Sequence, residues 1–281
     1  MARLPAPLAL GVGRRLGDLA GLALPRRHRV ALANLALAFP DLPLDARRRL
    51  ARRAWQHLGM TMVEVVRLLG RPLEATLGEL TVDGLEHLRP VMAAHGRALM
   101  LTAHLGNWEY LAAVPRLTGY PGAIVVRPLD SPALDGLAEE TRRKTGIALI
   151  DKRGALRPVL RALRRGGLVG ILLDQNATRR DGVFVPFFGR AASTSRSLAL
   201  LALRTETPVV PIFIRREAVG RHRVIIEPPL PRPAAHDLEA AVVELTARCT
   251  ETIEAAIRRA PQQWLWSHDR WRTRPPAAAP A

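Results

Sequence analysis

Short apolar runs alternate with helical segments from Leu80 to the C-terminal region, and this alternation restricts the fold more than any other feature of the chain. Such alternation is typical of an α/β fold in which helices cover a largely parallel sheet. We therefore expect a single α/β domain with a central, mostly parallel β-sheet flanked by helices, plus an N-terminal helical appendage. The expected strands are 79–83, 98–103, 122–127, 147–150, 168–173, 208–214 and 222–227, and the expected helices between and after them are 85–95, 107–118, 131–145, 154–165, 194–205 and about 236–260.

The expected organisation has three parts: residues 1–75 as an N-terminal helical, membrane-proximal segment, residues 76–274 as the α/β domain, and residues 275–281 as a flexible tail. With 281 residues and 48% apolar content, the chain is long enough to bury a large core. Its single cysteine, Cys249, excludes a disulfide framework and a cysteine-rich zinc site.

The stretch 99–114 predicts a strand that leads into a helix through a tight turn. Gly106 lets the backbone turn, and Asn107 is a good N-cap residue for the helix that follows. Because His104 lies on the turn, its side chain and that of Glu109 can converge. A carboxylate beside an imidazole fixes the ring tautomer and makes the ring a general base. The alternative is a core histidine and a surface glutamate without a catalytic role.

A nucleophile supplied by the protein is not evident. The chain has no Gly-x-Ser-x-Gly motif, and Cys249 lies in an apparent amphipathic helix far from His104 in the sequence. We therefore expect a hydroxyl group of the substrate to be the nucleophile.

The motif His104-Leu-Gly-Asn-Trp-Glu109 resembles the His-x4-Asp/Glu signature of the lysophospholipid acyltransferase superfamily, in the form found in lipid A biosynthesis (lauroyl/myristoyl) acyltransferases. Further segments resemble that family in the same order, and together they span roughly residues 30–276. They are Asn34-Leu-Ala-Leu-Ala-Phe-Pro40, Arg127-Pro128, Asp174-Gln175, Phe184-Val-Pro-Phe-Phe-Gly189 and Trp271-Arg-Thr-Arg-Pro-Pro276.

The resemblance implies an O-acyltransferase that moves a fatty acyl group from acyl-carrier protein or acyl-CoA to a hydroxyl of a glycolipid, most simply a lipid A precursor. His104 would be the base and Glu109 its orienting partner, with no metal and no bound cofactor. Related enzymes act on phosphatidylinositol mannosides or lysophospholipids, so other lipid acceptors stay open. The resemblance also implies a location at the cytoplasmic face of the bacterial inner membrane, peripheral or monotopic.

Ligand sites of open α/β sheets lie at the carboxyl ends of the strands, where this sequence places several polar residues. We expect the turn residues Gly106, Asn107 and Trp108 to contact substrate. Arg127 would hold a phosphate or a carbonyl oxygen, and Arg153 is a similar candidate. Asp174 and Gln175 would bind sugar hydroxyls or brace the site. A purely structural salt bridge or hydrogen bond is the alternative for the last four residues.

Aromatic residues are concentrated in two places. Phe184, Phe187 and Phe188 lie in an apparent loop, where an acyl chain would cover them; the alternative is a loop folded over the core. Ser193, Thr194 and Ser195 are interpreted as the start of the next helix. Tryptophans 264, 266 and 271 suit either an interfacial anchor or packing against the domain.

The formal net charge of +17 predicts an anionic partner: nucleic acid, anionic lipid or an acidic carrier protein. With only 4% aromatic residues, base stacking has little support, so a basic nucleic-acid or membrane-binding module is the non-enzymatic alternative. Residues 1–24 contain no uninterrupted apolar span, but leucines at helical spacing suit an interfacial helix, or one packed on the domain. The cluster Arg26-Arg27-His28-Arg29 would touch anionic headgroups or form a solvated basic face.

Overall fold

The computed structural model describes residues 4–126 and 132–276. Four helices precede the first strand: α1 (Ala6–Ala23), α2 (Pro25–Ala38), α3 (Leu44–Leu69) and α4 (Leu73–Leu77). The following elements are β1 (Leu80–Asp83), α5 (Leu85–His95), β2 (Arg97–Thr102), a 3₁₀ helix (Trp108–Ala113), α6 (Val114–Thr118), β3 (Gly122–Val126), α7 (Pro132–Thr145), β4 (Ala148–Asp151), α8 (Leu156–Arg164), β5 (Gly167–Leu172), β6 (Gly182–Phe187), β7 (Arg190–Ser195), α9 (Ser197–Thr205), β8 (Val209–Ala218), β9 (Arg221–Ile226), α10 (Leu238–Arg259) and a final 3₁₀ turn (Pro261–Gln263).

The predicted fold class is confirmed. Within the described residues, seven strands form one sheet in the order β1-β9-β8-β2-β5-β3-β4. The pairing is parallel except between β8 and β9, which are antiparallel neighbours. These seven strands correspond to the seven expected from the apolar runs.

Both faces of the sheet are buried, as a parallel sheet covered by helices requires. In β2, Leu99 and Leu101 join a core cluster that includes residues of α9 and α10, whereas Ala98 and Met100 join a second cluster with residues of α5. Helices α2 and α3 also contribute to the first cluster. A strand buried on both faces fixes the position of the residues at its carboxyl end.

The segment predicted as a phenylalanine loop is instead a β-hairpin of β6 and β7, so the loop prediction is wrong. Phe188 and Gly189 connect the strands with positive φ angles of 50° and 70°, the geometry of a two-residue hairpin turn. Ser193 and Thr194 are buried in β7 rather than capping a helix, and α9 begins at Ser197. Pro186 and Gly189 obscured the alternation of a strand in the sequence.

Helix α1 packs against α3 and leaves a row of leucines exposed. At Gly17 a Cβ atom would lie 2.2 Å from the carbonyl oxygen of Trp55, so only glycine permits this helix separation. The opposite face of α1 exposes Leu8, Leu16, Leu19 and Leu22 by 62%, 49%, 60% and 79%. No helix in residues 4–126 and 132–276 has the length and hydropathy that crossing a membrane requires.

Candidate active site

His104 and Asp174 lie side by side because of the register of two neighbouring strands. Thr102 at the end of β2 pairs with Leu172 at the end of β5. His104 and Asp174 each lie two residues beyond that pair, and the Leu173 N–H donates to the Thr102 carbonyl at 3.0 Å. The equal offset brings both side chains to the carboxyl edge of the sheet, where the sequence predicted that they converge.

Asp174 fixes both the backbone and the ring of His104. One carboxylate oxygen accepts a hydrogen bond from the His104 Nδ1 at 2.8 Å, and the other accepts from the His104 N–H at 3.0 Å and the Trp264 Nε1 at 2.7 Å. Burial raises the pKa of Asp174, but the His104 charge and the bonds from His104 and Trp264 outweigh burial and lower its pKa to about 2. The ionised carboxylate only accepts, so the proton of a neutral His104 ring lies on Nδ1.

The Nε2 atom of His104 therefore keeps its lone pair and faces away from the carboxylate. The Gln175 side-chain amide, 3.3 Å away, can donate to it. The Trp108 ring stands edge-on to the imidazole, with 5.3 Å between the ring centroids. The His104 side chain is 20% exposed. This is the geometry of a general base held in one tautomer and open to a substrate proton.

Glu109 is not the hydrogen-bonding partner of the His104 ring, and that prediction is wrong. Both oxygens of its carboxylate accept from Arg142 of α7, at 2.8 and 3.0 Å, and one accepts from the Trp108 Nε1 at 3.1 Å. A 3₁₀ helix begins at Trp108 in place of the predicted α-helix 107–118, and α6 follows only at Val114. Trp108 links the two residues, because its Nε1 donates to Glu109 and its ring contacts the His104 ring.

Gly106 is required at the turn. Its φ angle is +63°, and a Cβ atom there would lie 2.1 Å from the carbonyl oxygen of Ile214. Its N–H donates to the Gln263 carbonyl at 3.0 Å, and Leu265 donates to the His104 carbonyl at 3.2 Å. The turn is thus fixed between β8 and the C-terminal segment, which the sequence analysis had not placed at the site.

Asn107 anchors the turn to α3 instead of capping the following helix. Its side chain makes no capping bond but donates to a carboxylate oxygen of Glu64 at 2.8 Å. Glu64 also accepts from Arg216 of β8 at 3.1 Å and from His222 of β9 at 3.1 Å. Burial raises the pKa of Glu64, but the bonds from His222 and Arg216 and their charges outweigh it and lower the pKa to about 2.

This buried ionic cluster was not predicted from the sequence. Its signal was present in α3, where His57, Thr61 and Glu64 form a polar row at helical spacing on the face that also carries Ala54, Val65 and Leu68. All three are buried, and Thr61 also accepts a bond from Arg216 at 3.4 Å. A charge buried on a helix needs a partner, so such a row predicts contacts with another element.

Neither of the two predicted arginines is described beside His104, and the reasons differ. Arg127 lies outside the described residues. Arg153 is exposed after β4, the edge strand, which lies three strands from β2 or about 14 Å across the sheet. The backbone N–H of Arg153 donates to Asp151 at 2.8 Å. Of the four polar candidates at strand ends, the described structure places only Asp174 and Gln175 at the His104 ring.

Phe187 and Phe188 lie in the core, so neither faces an open acyl channel. They are 0% and 6% exposed, and their rings contact Trp264 and Trp266 respectively, with centroids 5.7 and 6.1 Å apart. Phe184 is half-buried in β6. Three tryptophans at positions 264, 266 and 271 are buried in the same cluster, which makes the packing alternative correct and the interfacial-anchor alternative wrong.

His268 provides a pH-dependent contact beside the site. Its Nε2 accepts from the Asn176 N–H at 3.0 Å, which requires a neutral ring. Burial lowers the pKa of His268 to about 4; the Asp174 carboxylate raises it, and the positive charge of His104 lowers it. As the pH falls, His268 is therefore protonated in the unfolded chain before it is protonated in the folded chain. The contribution of neutral His268 to the free energy of unfolding is fully present above about pH 6.5 and is lost between about pH 6.5 and 4.

Replacing His268 by glutamine should remove this part of the acid sensitivity, because the amide oxygen still accepts from Asn176 but does not titrate. We expect the free energy of unfolding of the parent protein to fall between pH 7.5 and 5 by on the order of 2 kcal/mol more than that of His268→Gln. Urea unfolding at the two pH values measures it. Parallel pH curves for parent and variant would contradict the assignment.

The fold and the site together define a class of enzyme. A carboxylate-held histidine at the carboxyl edge of a parallel α/β sheet has the geometry that a general base requires. Within the described residues, neither ring nitrogen of this histidine hydrogen-bonds a serine, threonine or cysteine side chain. Such a site activates a hydroxyl that the substrate itself supplies.

The particular family follows from the sequence comparisons. The chain belongs to the bacterial lipid A biosynthesis acyltransferase family, whose sequence model matches residues 1–273. The protein is therefore an O-acyltransferase, as its motifs predicted.

Individual relatives agree with this assignment. The lipid A biosynthesis lauroyltransferase of Escherichia coli is 30% identical over 277 residues, 98% of this chain and 89% of the relative. The palmitoleoyltransferase of the same organism is 28% identical over 275 residues, 97% and 88% of the two chains. A solved 1-acyl-sn-glycerophosphate acyltransferase, PlsC from Thermotoga maritima, is 13% identical with a TM-score of 0.40 over 86% of this chain and 98% of that one, a likeness too distant to bear on the site.

Proposed function

We propose that this protein transfers a fatty acyl group from an acyl thioester to a hydroxyl of a lipid A precursor, with His104 as the general base. The observation that supports the proposal is the Asp174–His104 pair, which leaves Nε2 unprotonated on a side chain that is 20% exposed at the sheet edge. The family and the names of its relatives support the choice of acceptor.

The proposed reaction is a direct transfer. His104 Nε2 takes the proton of the acceptor hydroxyl while its oxygen attacks the thioester carbonyl. The new C–O bond forms, the C–S bond breaks, and the proton passes from Nε2 to the leaving sulfur. Asp174 stabilises the imidazolium between the two proton transfers. No acyl-enzyme forms.

The developing negative charge on the carbonyl oxygen needs hydrogen-bond donors. In the described residues the backbone N–H groups of Asn107 and Trp108 have no acceptor, whereas those of Leu105 and Gly106 are occupied. We assign the Trp108 N–H to the oxyanion, because Trp108 is partly exposed whereas Asn107 is 0% exposed. Gly106 and Asn107 then act by fixing the turn that presents this N–H group, the latter through Glu64.

The assay that tests the proposal combines the purified protein, a dodecanoyl thioester of acyl-carrier protein or CoA, and a phosphorylated disaccharide glycolipid. Mass spectrometry should detect the acceptor with one additional acyl group. Consumption of only one thioester would identify the donor. Hydrolysis without transfer, or no turnover with any lipid acceptor, would overturn the proposal and favour the non-enzymatic alternative.

We also propose that α1 rests on a membrane surface through its exposed leucines. Gly17 packs one face of α1 on α3, so the leucine row faces outward, and Arg14 and Arg15 on the same helix are exposed and able to meet lipid phosphates. The family and the names of its relatives support a location at a membrane, and we propose a peripheral contact at the cytoplasmic face of the inner membrane.

Replacing Leu19 and Leu22 by serine should weaken binding to anionic vesicles by about tenfold or more, because each buried leucine contributes about 1.5–3 kcal/mol. Co-sedimentation with vesicles measures it. The matched control is Leu156→Ser with Val219→Ser, which removes two isolated apolar side chains that are 62% and 49% exposed. Equal losses in the two double variants would show that α1 has no special role in membrane contact.

A further inference from the structure

A basic groove of about 980 Å³ lies between α2, the hairpin and the C-terminal segment. Four arginines from these three parts of the chain line it: Arg26 and Arg29 from α2, Arg190 from β7 and Arg274 from the C-terminal segment. The sequence cluster around Arg26 suggested either contact with anionic headgroups or a solvated basic face. In the folded chain, Arg26 and Arg29 of that cluster line one groove with Arg190 and Arg274, which are more than 150 residues away in the sequence.

The positive charge in this groove is not compensated by the protein. Asp269 is the one acidic residue in its lining. Arg190 donates to the Leu37 carbonyl at 3.4 Å, whereas Arg26, Arg29 and Arg274 have no side-chain hydrogen bond or ion pair with the described residues. Elsewhere the buried Arg216 and the partly buried Arg142 pair with carboxylates. Like charges that converge without partners favour binding of an anion.

The chemistry and size of the groove indicate the class of ligand. A guanidinium group binds phosphate through two parallel hydrogen bonds. Four guanidinium groups therefore supply more hydrogen-bond donors than a single small anion needs. A volume of about 980 Å³ accommodates a sugar headgroup with its phosphates. Trp271 lines the same groove, is only 9% exposed, and its indole N–H has no acceptor in the described residues.

The groove shares chain segments with the proposed membrane surface and with the active site. Leu22 and Leu24, which are 79% and 48% exposed, lie within four residues of Arg26 in the chain. This proximity places the arginines near the depth of lipid headgroups. On the other side, the C-terminal segment that carries Arg274 also carries Trp264, which donates to Asp174. A ligand in the groove is thus held by the same segment that supports the catalytic pair.

We propose that this arginine groove binds the phosphate groups of the acceptor glycolipid and so holds the acceptor at the membrane surface during transfer. The inference rests on the proposed function for the identity of the acceptor. The alternative source of the same chemistry is the headgroup of an ordinary anionic phospholipid, and the experiment separates the two.

Binding is measured in a His104→Asn background and without a thioester donor, so no acyl transfer can occur and the result is independent of the catalytic proposal. The probes are phosphatidylcholine vesicles that contain a bisphosphorylated disaccharide glycolipid, the same glycolipid after phosphatase treatment, or phosphatidylglycerol at equal total charge. The test variant is Arg26→Gln with Arg29→Gln. The control is Arg161→Gln with Arg164→Gln, two exposed arginines of α8 that give the same change in net charge.

We expect the test variant to bind the phosphorylated glycolipid vesicles about tenfold or more weakly than its His104→Asn parent, with a smaller loss on phosphatidylglycerol and on the dephosphorylated lipid. The control should retain the binding of the parent. In the active background, the test variant should raise KM for the acceptor and leave KM for the thioester unchanged. Equal losses on the phosphorylated glycolipid and on phosphatidylglycerol, or equal losses in both arginine variants, would overturn the proposal.

Discussion

Replacing Asp174 by asparagine should lower kcat for acyl transfer by about 10²–10⁴-fold without unfolding the protein. The asparagine oxygen can still accept from the His104 N–H and from Trp264, but its amide group then faces Nδ1 as a donor. The His104 proton would shift to Nε2, and the ring would lose its lone pair at the atom that faces the substrate. Turnover measured together with thermal melting tests the expectation.

Glu109→Gln is the comparison that separates the two carboxylates. Glu109 binds Arg142 and Trp108 rather than the His104 ring, so its neutralisation should lower kcat less than Asp174→Asn does, while the lost ion pair lowers the melting temperature. If Glu109→Gln were the more damaging change in kcat, the assignment of Asp174 as the partner of the base would be wrong.

Replacing His104 by asparagine should lower transfer by a similar 10²–10⁴-fold, the usual contribution of a general base. The asparagine amide matches the position of Nδ1 and can still donate to Asp174, so the buried carboxylate keeps a partner and the fold is preserved. What disappears is the acceptor at Nε2. Steady-state kinetics over a range of pH measures the loss.

The double variant of His104 and Asp174 tests whether the two residues act together. If the two residues act as one unit, Asp174→Asn added to His104→Asn should cause little additional loss, because effects within such a unit are not additive. Losses that multiply would indicate that Asp174 acts independently of His104. Activity of His104→Asn within a few-fold of the parent would remove the general-base mechanism altogether.

The sequence by itself determined the fold class, the strands of the sheet and the place of the site. Short apolar runs mark strands buried on both faces, and the carboxyl ends of parallel strands share one edge, so His104, Asp174 and Gln175 were expected to meet. Gly106 was identified as a turn residue because the freedom of glycine at a tight turn is also a local property of the chain. The leucine spacing of the first 24 residues likewise predicted the outward face of α1, because helical periodicity is a local property.

Only the tertiary structure decided which carboxylate supports His104. Glu109 is five residues away along the chain, but Asp174 is the neighbour through strand register, a contact between residues 70 positions apart. The hairpin that buries Phe187, the Glu64 cluster that anchors Asn107 and the four arginines of the groove have the same origin. Each depends on long-range pairing or on compensation of buried charge, and local spacing contains no information about which distant segment will supply the partner.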